Sequence, residues 1–437
     1  MTAASAPLPA RGALGLMFDR VFGTLFWGKV LSVVGVWTHG IVAAIVMYEA
    51  TKSALMVGLV GVVQFAPQLI LSPITGKWAD LGNPARQILL GRVFCVAGSA
   101  SIAIWFAITP ESADSTSAAM PILLGTLLVG LGFVIGGPAM QSIVPSLIRP
   151  GELSTAMALN SLPMTAGRVA GPALGAYLAA HLGPSAAFTF SAALHLIFAI
   201  FLILVRFPAP PARIPDADYR VRAALRYVWR DRPLLLGLIA VGAVGFAADP
   251  SITLTPAMAD QLGGGAQLVG TLSAAFGIGA ALSMLVLAVM RGRVRSVWVS
   301  SIGLFLLGAG CVLLAVSFVT AAALIGFVLA GVGFGAAMTG LSTVVQERAP
   351  EDLRGRIMAL WLVGFLGSRP FAAAILGGAA DGLGVQVAFL IAAASVLLVA
   401  MLARPGALSG PLPTRNDESG PVAARNDEIG PQAARSR

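Results

Sequence analysis

Charge is scarce in this chain. Asp, Glu, Lys and Arg make up 11% of its 437 residues, and hydrophobic residues make up 57%. Soluble globular chains carry roughly 25% and 45–50%, so this protein cannot cover a water-facing surface of the size its length demands. Cysteine is nearly missing. Cys95 and Cys311 are the only two, and both fall inside apolar runs, which leaves no disulfide framework or cysteine zinc site to argue. The three histidines all lie in or beside apolar runs, a placement from which no zinc-protease motif or catalytic triad can be built. No enzyme activity, metal or other cofactor is therefore expected. Lysine is also rare, at 3 against 25 arginines, a bias associated with GC-rich bacterial genomes.

Long apolar runs fill the space that charge vacates. Spanning a bilayer takes about 20 mostly apolar residues, and twelve stretches qualify, near 21–48, 54–75, 88–109, 120–142, 153–180, 185–205, 234–257, 266–290, 296–318, 320–344, 357–379 and 384–403. Barrel strands would be about 10 residues long with alternating polarity, a pattern the runs do not follow. The expected fold is an all-α membrane protein. The first run is too long for the core of a signal peptide and is read as an uncleaved span behind a short N-terminal segment, 1–20.

The net charge of +9 invites a nucleic-acid reading, which its distribution defeats. With both termini inside, cytoplasmic segments hold 23 of the 28 basic residues and outer loops hold only Lys52. That asymmetry is the positive-inside rule. The excess faces the anionic inner leaflet, and a multi-pass protein of the bacterial cytoplasmic membrane is expected.

The chain repeats itself. Pro150, Glu152 and Leu153 return as Pro350, Asp352 and Leu353. Met157-Ala158-Leu159 returns as Met358-Ala359-Leu360, and Arg168 returns as Arg369, at an offset of 201. The repeat places span 5 in register with span 11. An offset of six spans preserves orientation, so two parallel six-helix halves, 21–205 and 234–403, are expected, with a substrate site between them near the midplane. The linker 206–233 starts proline-rich and ends in a basic amphipathic stretch. There Val221, Ala224, Leu225 and Val228 share one face, and Arg222, Arg226 and Arg230 share another. It reads as a surface helix or as a plain topogenic loop. The tail, 404–437, contains SGPLPTRNDE repeated as SGPVAARNDE and has the composition of a disordered segment.

Two motifs carry a family resemblance. Gly76, Asp80, Gly82 and Arg86, in GKWADLGNPAR, resemble the loop signature of the major facilitator superfamily, in which the acid meets a helix N-terminus and a basic residue holds it. The resemblance implies a latch that steadies one state of the carrier. Gly167, Gly171, Pro172 and Gly175 resemble the span 5 signature of that superfamily's antiporters, with Ala158 and Ala176 at the outer signature positions. Glycines four apart let helices pack backbone to backbone, and proline bends them. The segments MQSIVPSLIRPGELSTAMALNSL and RYVWRDRPLLLG are similar to a narrower group of macrolide-efflux and siderophore exporters, over about residues 20–403. Where that group often carries an acid in span 1, Val36 stands here. Leu127 occupies the site of the span 4 basic residue of many antiporters.

Ionisable residues at mid-bilayer cost at least about 2.5–3.5 kcal/mol each and so mark candidate sites. Asp249, beside Pro250, is the only acid well inside a span; it reads either as an unpaired carboxylate for coupling or cation binding, or as a structural group. His39 lies at comparable depth in span 1 and reads as a proton partner for Asp249 or as a lone hydrogen-bonded histidine. Arg168 and Arg369 read as gating contacts or as an attraction for anions. Lys29 is near enough to the inner face to snorkel. Gln64 and Gln68, one turn apart, face a cavity or pack. Trp37, Phe246 and Trp361 pad an apolar pocket or only pack. Gly23, Gly28 and Lys29 mimic a phosphate-binding loop, but Val30 replaces its hydroxyl residue and the match lies inside a span. Gly331-Val-Gly333-Phe-Gly335 reads as helix packing.

The expectation is a secondary active exporter of amphipathic drugs or siderophore-like molecules. It would be a monomer, driven by protons, with the halves rocking about the site. An uptake carrier of the same fold and a non-transporting membrane scaffold remain as alternatives.

Overall fold

A computed structural model describes residues 10–109, 116–149, 151–208, 221–290, 293–350 and 353–410. Among these, eleven helices are long and apolar enough to cross a membrane. One of the eleven, Leu153–Leu204, has 52 residues, roughly 78 Å at 1.5 Å per residue and more than twice a ~30 Å hydrocarbon core. It divides at Gly183, whose φ of 82° and ψ of 168° suit glycine. Pro184 follows, cannot donate into the preceding turn, and starts the next helix. The expected twelve spans result.

They are α1 (Phe22–Thr51), α2 (Ala54–Leu81), α3 (Pro84–Ile108) and α4 (Ala119–Ser142). Next come α5 (153–182) and α6 (184–204), then α7 (Arg232–Ala248) and α8 (Ala266–Val289). The last four are α9 (Ser296–Ala315), α10 (Thr320–Arg348), α11 (Arg354–Leu383) and α12 (Val385–Leu402). Polar caps start several of them. Ser53, Asn83 and Asp231 accept the backbone N–H of Met56, Arg86 and Leu234 at the heads of α2, α3 and α7, replacing acceptors the first turn lacks. Span 7 runs further than expected. After α7 stops at Asp249, the short turns Pro250–Thr253 and Thr255–Gln261 extend it, each interrupted where a proline removes an N–H.

Within each half, helices approach by way of glycine. A methyl group on Gly98 would lie 2.3 Å from Gly125 O, between α3 and α4. One on Gly331 would lie 2.0 Å from Phe276 O, between α10 and α8, and one on Gly333 would lie 2.1 Å from Leu307 N of α9. The glycine run in α10 is packing, as expected. With lipid as apolar as the protein interior, such close approach supplies the cohesion that burial supplies in water.

The halves meet along two seams, α2 with α11 and α5 with α8. Close contacts run from Gly377 against Ala54 to Gly367 against Leu69 on the first seam, and from Gly270 against Ala176 to Gly277 against Val169 on the second. Both stretches start at the end of the bundle bearing the α1–α2 turn and stop near mid-bundle. Towards the opposite, terminus-bearing end, nothing lies within 4 Å of a methyl on Gly76 of α2 or Gly355 of α11.

Two groups of ion pairs, one in each half, brace the terminus-bearing end. Arg11 contacts Glu152 at 2.7 Å and Asp19 at 2.6 Å, while Asp19 accepts the N–H groups of Val21 and Phe22 at the head of α1. The Arg11 hydrogen bond holds the Glu152 carboxyl down to about 2. In the other half, Arg348 forks onto Asp231 at 2.8–3.1 Å and donates to Gly410 O. The linker helix, Val221–Arg230, buries Ala224 and Val228 against Leu353 and Ile357 of the C-terminal half, while Leu225 stays 40% exposed. The first residues of the expected tail are helical. Residues 405–408 form a turn of helix that buries Leu408, and residues 411–437, with the decapeptide repeat, lie outside the described set.

Candidate functional site

Seven spans, α1, α2, α5, α7, α8, α10 and α11, bring one cluster together at mid-bundle. Arg168 stands fifteen residues into α5 (153 to 168) and Arg369 fifteen into α11 (354 to 369), so the repeat seen in sequence gives matched depth in the two halves. Asp249 at the break after α7 meets Arg369, Oδ1 to Nε at 3.5 Å, with both side chains 3% exposed. Its other oxygen accepts from Thr253 Oγ1 at 2.6 Å. The structure thus corrects the reading of Asp249 as an unpaired carboxylate. Pairing is what burial requires, since an isolated charge in a low-dielectric interior costs far more than a paired one.

Aromatic rings surround the two guanidiniums. Arg168 Cζ lies 4.0 Å from the ring centre of Phe334, 5.0 Å from Trp37 and 5.2 Å from Phe276. Arg369 Cζ lies 4.5 Å from Phe65 and 5.9 Å from the same Trp37. Such contacts set the cation against the negative face of the ring. Phe334 continues to Phe365 and Trp361 through ring centres 6.0 Å apart. Trp37, Arg168, Asp249, Trp361 and Arg369 therefore belong to one constellation. Phe65, Phe276 and Phe334 complete it and were not singled out from sequence. The signal for Phe334 was a bulky ring set between packing glycines.

Other candidates go elsewhere. His39 is fully buried inside the N-terminal half, bonded to Ser99 Oγ at 3.0 Å and Thr126 Oγ1 at 3.1 Å; the structure does not bring it to Asp249. Gln64 is buried against Gly40 of α1 and Gly130 of α4. Gln68 is buried with Oε1 unpartnered. Phe246 packs on the main core cluster. Lys29 does not snorkel: it is 6% exposed and donates to Asn160 O and Oδ1, both at 2.8 Å. Arg92 is fully buried and donates to Ser32 and to Gly132 O.

The span 5 glycines do what their spacing suggests. Methyl groups on Gly167, Gly171 and Gly175 would lie 2.5 Å from Val33 Cγ1, 2.5 Å from Trp37 Cβ and 2.8 Å from Ile41 Cγ2 of α1. Thr38 Oγ1 donates to Gly171 O across that contact. Pro172 lies within the helix between them. Gly171 thus presses α5 onto the turn that presents Trp37 to Arg168. At the loop signature, Gly82 ends α2 with its N–H on Trp78 O, and Arg86 donates its backbone N–H to Asn83 Oδ1. The Asp80 side chain lies outside the described residues. No group of three or more metal-ligating side chains occurs among the described residues.

Twelve spans in two matched halves around a charged, aromatic centre define a multi-pass membrane transporter. The profile of a family described as transmembrane secretion effector matches residues 12–420. The chain belongs to this family of major facilitator transporters. It is 30% identical over 372 residues to the enterobactin exporter EntS of Salmonella typhimurium, covering 82% of this chain and 85% of that protein. It is 28% identical over 374 residues to the enterobactin exporter of Escherichia coli O6:K15:H31, covering 82% and 84%. Its fold resembles a bacterial homologue of the human lysosomal transporter Spinster in an inward-facing, unoccupied conformation, with a TM-score of 0.68 at 15% identity over 90% of this chain and 97% of that one. A bacterial homologue of the iron transporter ferroportin in an inward-facing state also gives 0.68 at 15% identity, over 89% and 98%.

Proposed function

We propose that this protein exports amphipathic, siderophore-like small molecules across the bacterial cytoplasmic membrane as a monomer with both termini in the cytoplasm. The observation that carries the reading is the placement of Arg168, Asp249 and Arg369 at mid-bundle, between halves that close at one end only. In this orientation the closed end is external, and the end where Gly76 and Gly355 lie free of the opposite half faces the cytoplasm. Rocking the halves about the α2–α11 and α5–α8 seams would expose the same cluster to the outside, which is alternating access. The similarity to enterobactin exporters supports the direction and the siderophore-like substrate.

Protons moving inward are the proposed counter-ion, and Asp249 is the proposed acceptor. A proton on Asp249 breaks its pair with Arg369, and the Asp249→Asn substitution imitates that state. In inside-out vesicles under an imposed pH gradient, wild-type protein should concentrate radiolabelled enterobactin in the lumen. Asp249→Asn should exchange it downhill without concentrating it. If the variant concentrates it as well as wild type, Asp249 is not the coupling group. If wild-type vesicles release preloaded siderophore under the same gradient, the protein is an uptake carrier.

A further inference from the structure

We infer that the central site selects anions, taking the oxyanion of an aromatic or otherwise apolar acid between Arg168 and Arg369. The inference rests on the transporter reading and specifies its substrate class. Charge comes first. The cluster holds two guanidiniums and one carboxylate, and of these two cations only Arg369 has an acid within ion-pair distance among the described residues. Both cations approach the same Trp37 ring, at 5.0 and 5.9 Å. Two like charges held this close at mid-membrane oppose each other, and one net positive charge is left without a counter-ion.

The aromatic rings do not discharge that excess. A ring face attracts the charge but offers no lone pair to the five guanidinium N–H donors. The free donors are visible in the structure. Arg168 Nη2 and Arg369 Nη2 are both buried without a hydrogen-bond partner, and so is Trp361 Nε1, two ring contacts further along. A buried donor left unmade is costly, so a centre with several of them calls for an acceptor from outside. A carboxylate, sulfonate or phenolate supplies paired acceptors suited to the guanidinium fork. Phe65, Phe276 and Phe334 then offer an apolar wall to the rest of the molecule. The same field repels lipophilic cations, which are the substrates that a lone buried acid would have favoured.

A matched probe set separates charge from hydrophobicity: 2-naphthoate, 2-naphthylmethanol and 2-naphthyltrimethylammonium, each titrated into the detergent-solubilised full chain by calorimetry. Naphthoate should bind at least about tenfold more tightly than the alcohol, the scale of one charged hydrogen-bonded contact, and the cation should bind least. Arg168→Gln should reduce naphthoate affinity about tenfold or more and leave the alcohol unchanged, while Arg168→Lys should retain part of the preference. Arg369→Gln alone strands Asp249, so it is combined with Asp249→Asn. The double variant should lose the preference while keeping the wild-type melting temperature within a few degrees. Equal binding of naphthoate and the alcohol by wild type, strongest binding of the cation, or no binding of naphthoate would each overturn the inference. Anion preference is read here without transport. A protein that discriminates as expected but does not export would overturn the exporter reading alone.

Discussion

Removing Asp381 should open the closed end of the bundle. This residue near the C-terminal end of α11 accepts three hydrogen bonds from the head of α2, across the boundary between halves: Ser53 Oγ at 2.5 Å, Ala54 N at 2.6 Å and Leu55 N at 3.1 Å. It acts as an N-cap supplied from the opposite half, placing a carboxylate where α2 presents unpaired N–H groups and the positive end of its dipole. Caps contribute about 1 kcal/mol, and a charge at a helix N-terminus about 0.3–1. Asp381 is exposed, so solvent screening keeps the sum near the low end. Asp381→Ala should therefore cost the closed state about 1–2 kcal/mol, a five- to thirty-fold shift towards opening. Asp381→Asn retains one acceptor and should fall between. Spin labels at the exposed positions 59 on α2 and 375 on α11 report the separation by pulsed dipolar spectroscopy. Wild type should give one short distance, and Asp381→Ala should add a longer population. An unchanged distance distribution in a stably folded Asp381→Ala protein would refute the reasoning.

Two further expectations follow from the packing. Gly171→Val places a methyl group 2.5 Å from Trp37 Cβ, and overpacking of this kind costs about 1–3 kcal/mol; the melting temperature in detergent should fall by several degrees and naphthoate affinity should drop, and a variant matching wild type in both would show that α5 can retreat freely from α1. The Arg11–Glu152 clasp should depend on pH. The Glu152 carboxyl is lowered from 4.5 to about 2, so its stabilising contribution is complete above about 4.5 and is lost as pH falls through 2. Protease cleavage within 10–20 should rise over that window in wild type and be high at every pH in Glu152→Gln; a flat wild-type profile would contradict it.

The spans, their number and the repeat were legible because each rests on a pattern along the chain. Apolar length gave the helices, including the separation of 153–180 from 185–205 that the structure makes at Gly183. The 201-residue offset placed Arg168 and Arg369 at one depth in their spans. Facing was not legible. In a membrane, a helix is apolar towards lipid and towards its neighbours alike, so periodicity could not say that His39 turns into the N-terminal half while Trp37, two residues earlier, turns towards the other half. Nor could it pair Asp249 with Arg369, which are far apart in sequence and meet only where the α7 break faces α11. The Arg11–Glu152 and Arg348–Asp231 braces escaped for the same reason. Glu152 was seen as part of a repeat, but nothing in the sequence points from it to Arg11.

The central claim is that the protein moves an amphipathic small molecule out of the cell. Its most direct test is the ratio of external to internal concentration of organic metabolites, measured by mass spectrometry in the native host with the gene deleted, restored as wild type, or restored with both Arg168→Gln and Asp249→Asn. The account predicts at least one amphipathic acid whose external fraction falls on deletion, returns with wild type and does not return with the double variant. If such compounds instead accumulate outside on deletion and inside on restoration, the protein is an importer and the account is wrong.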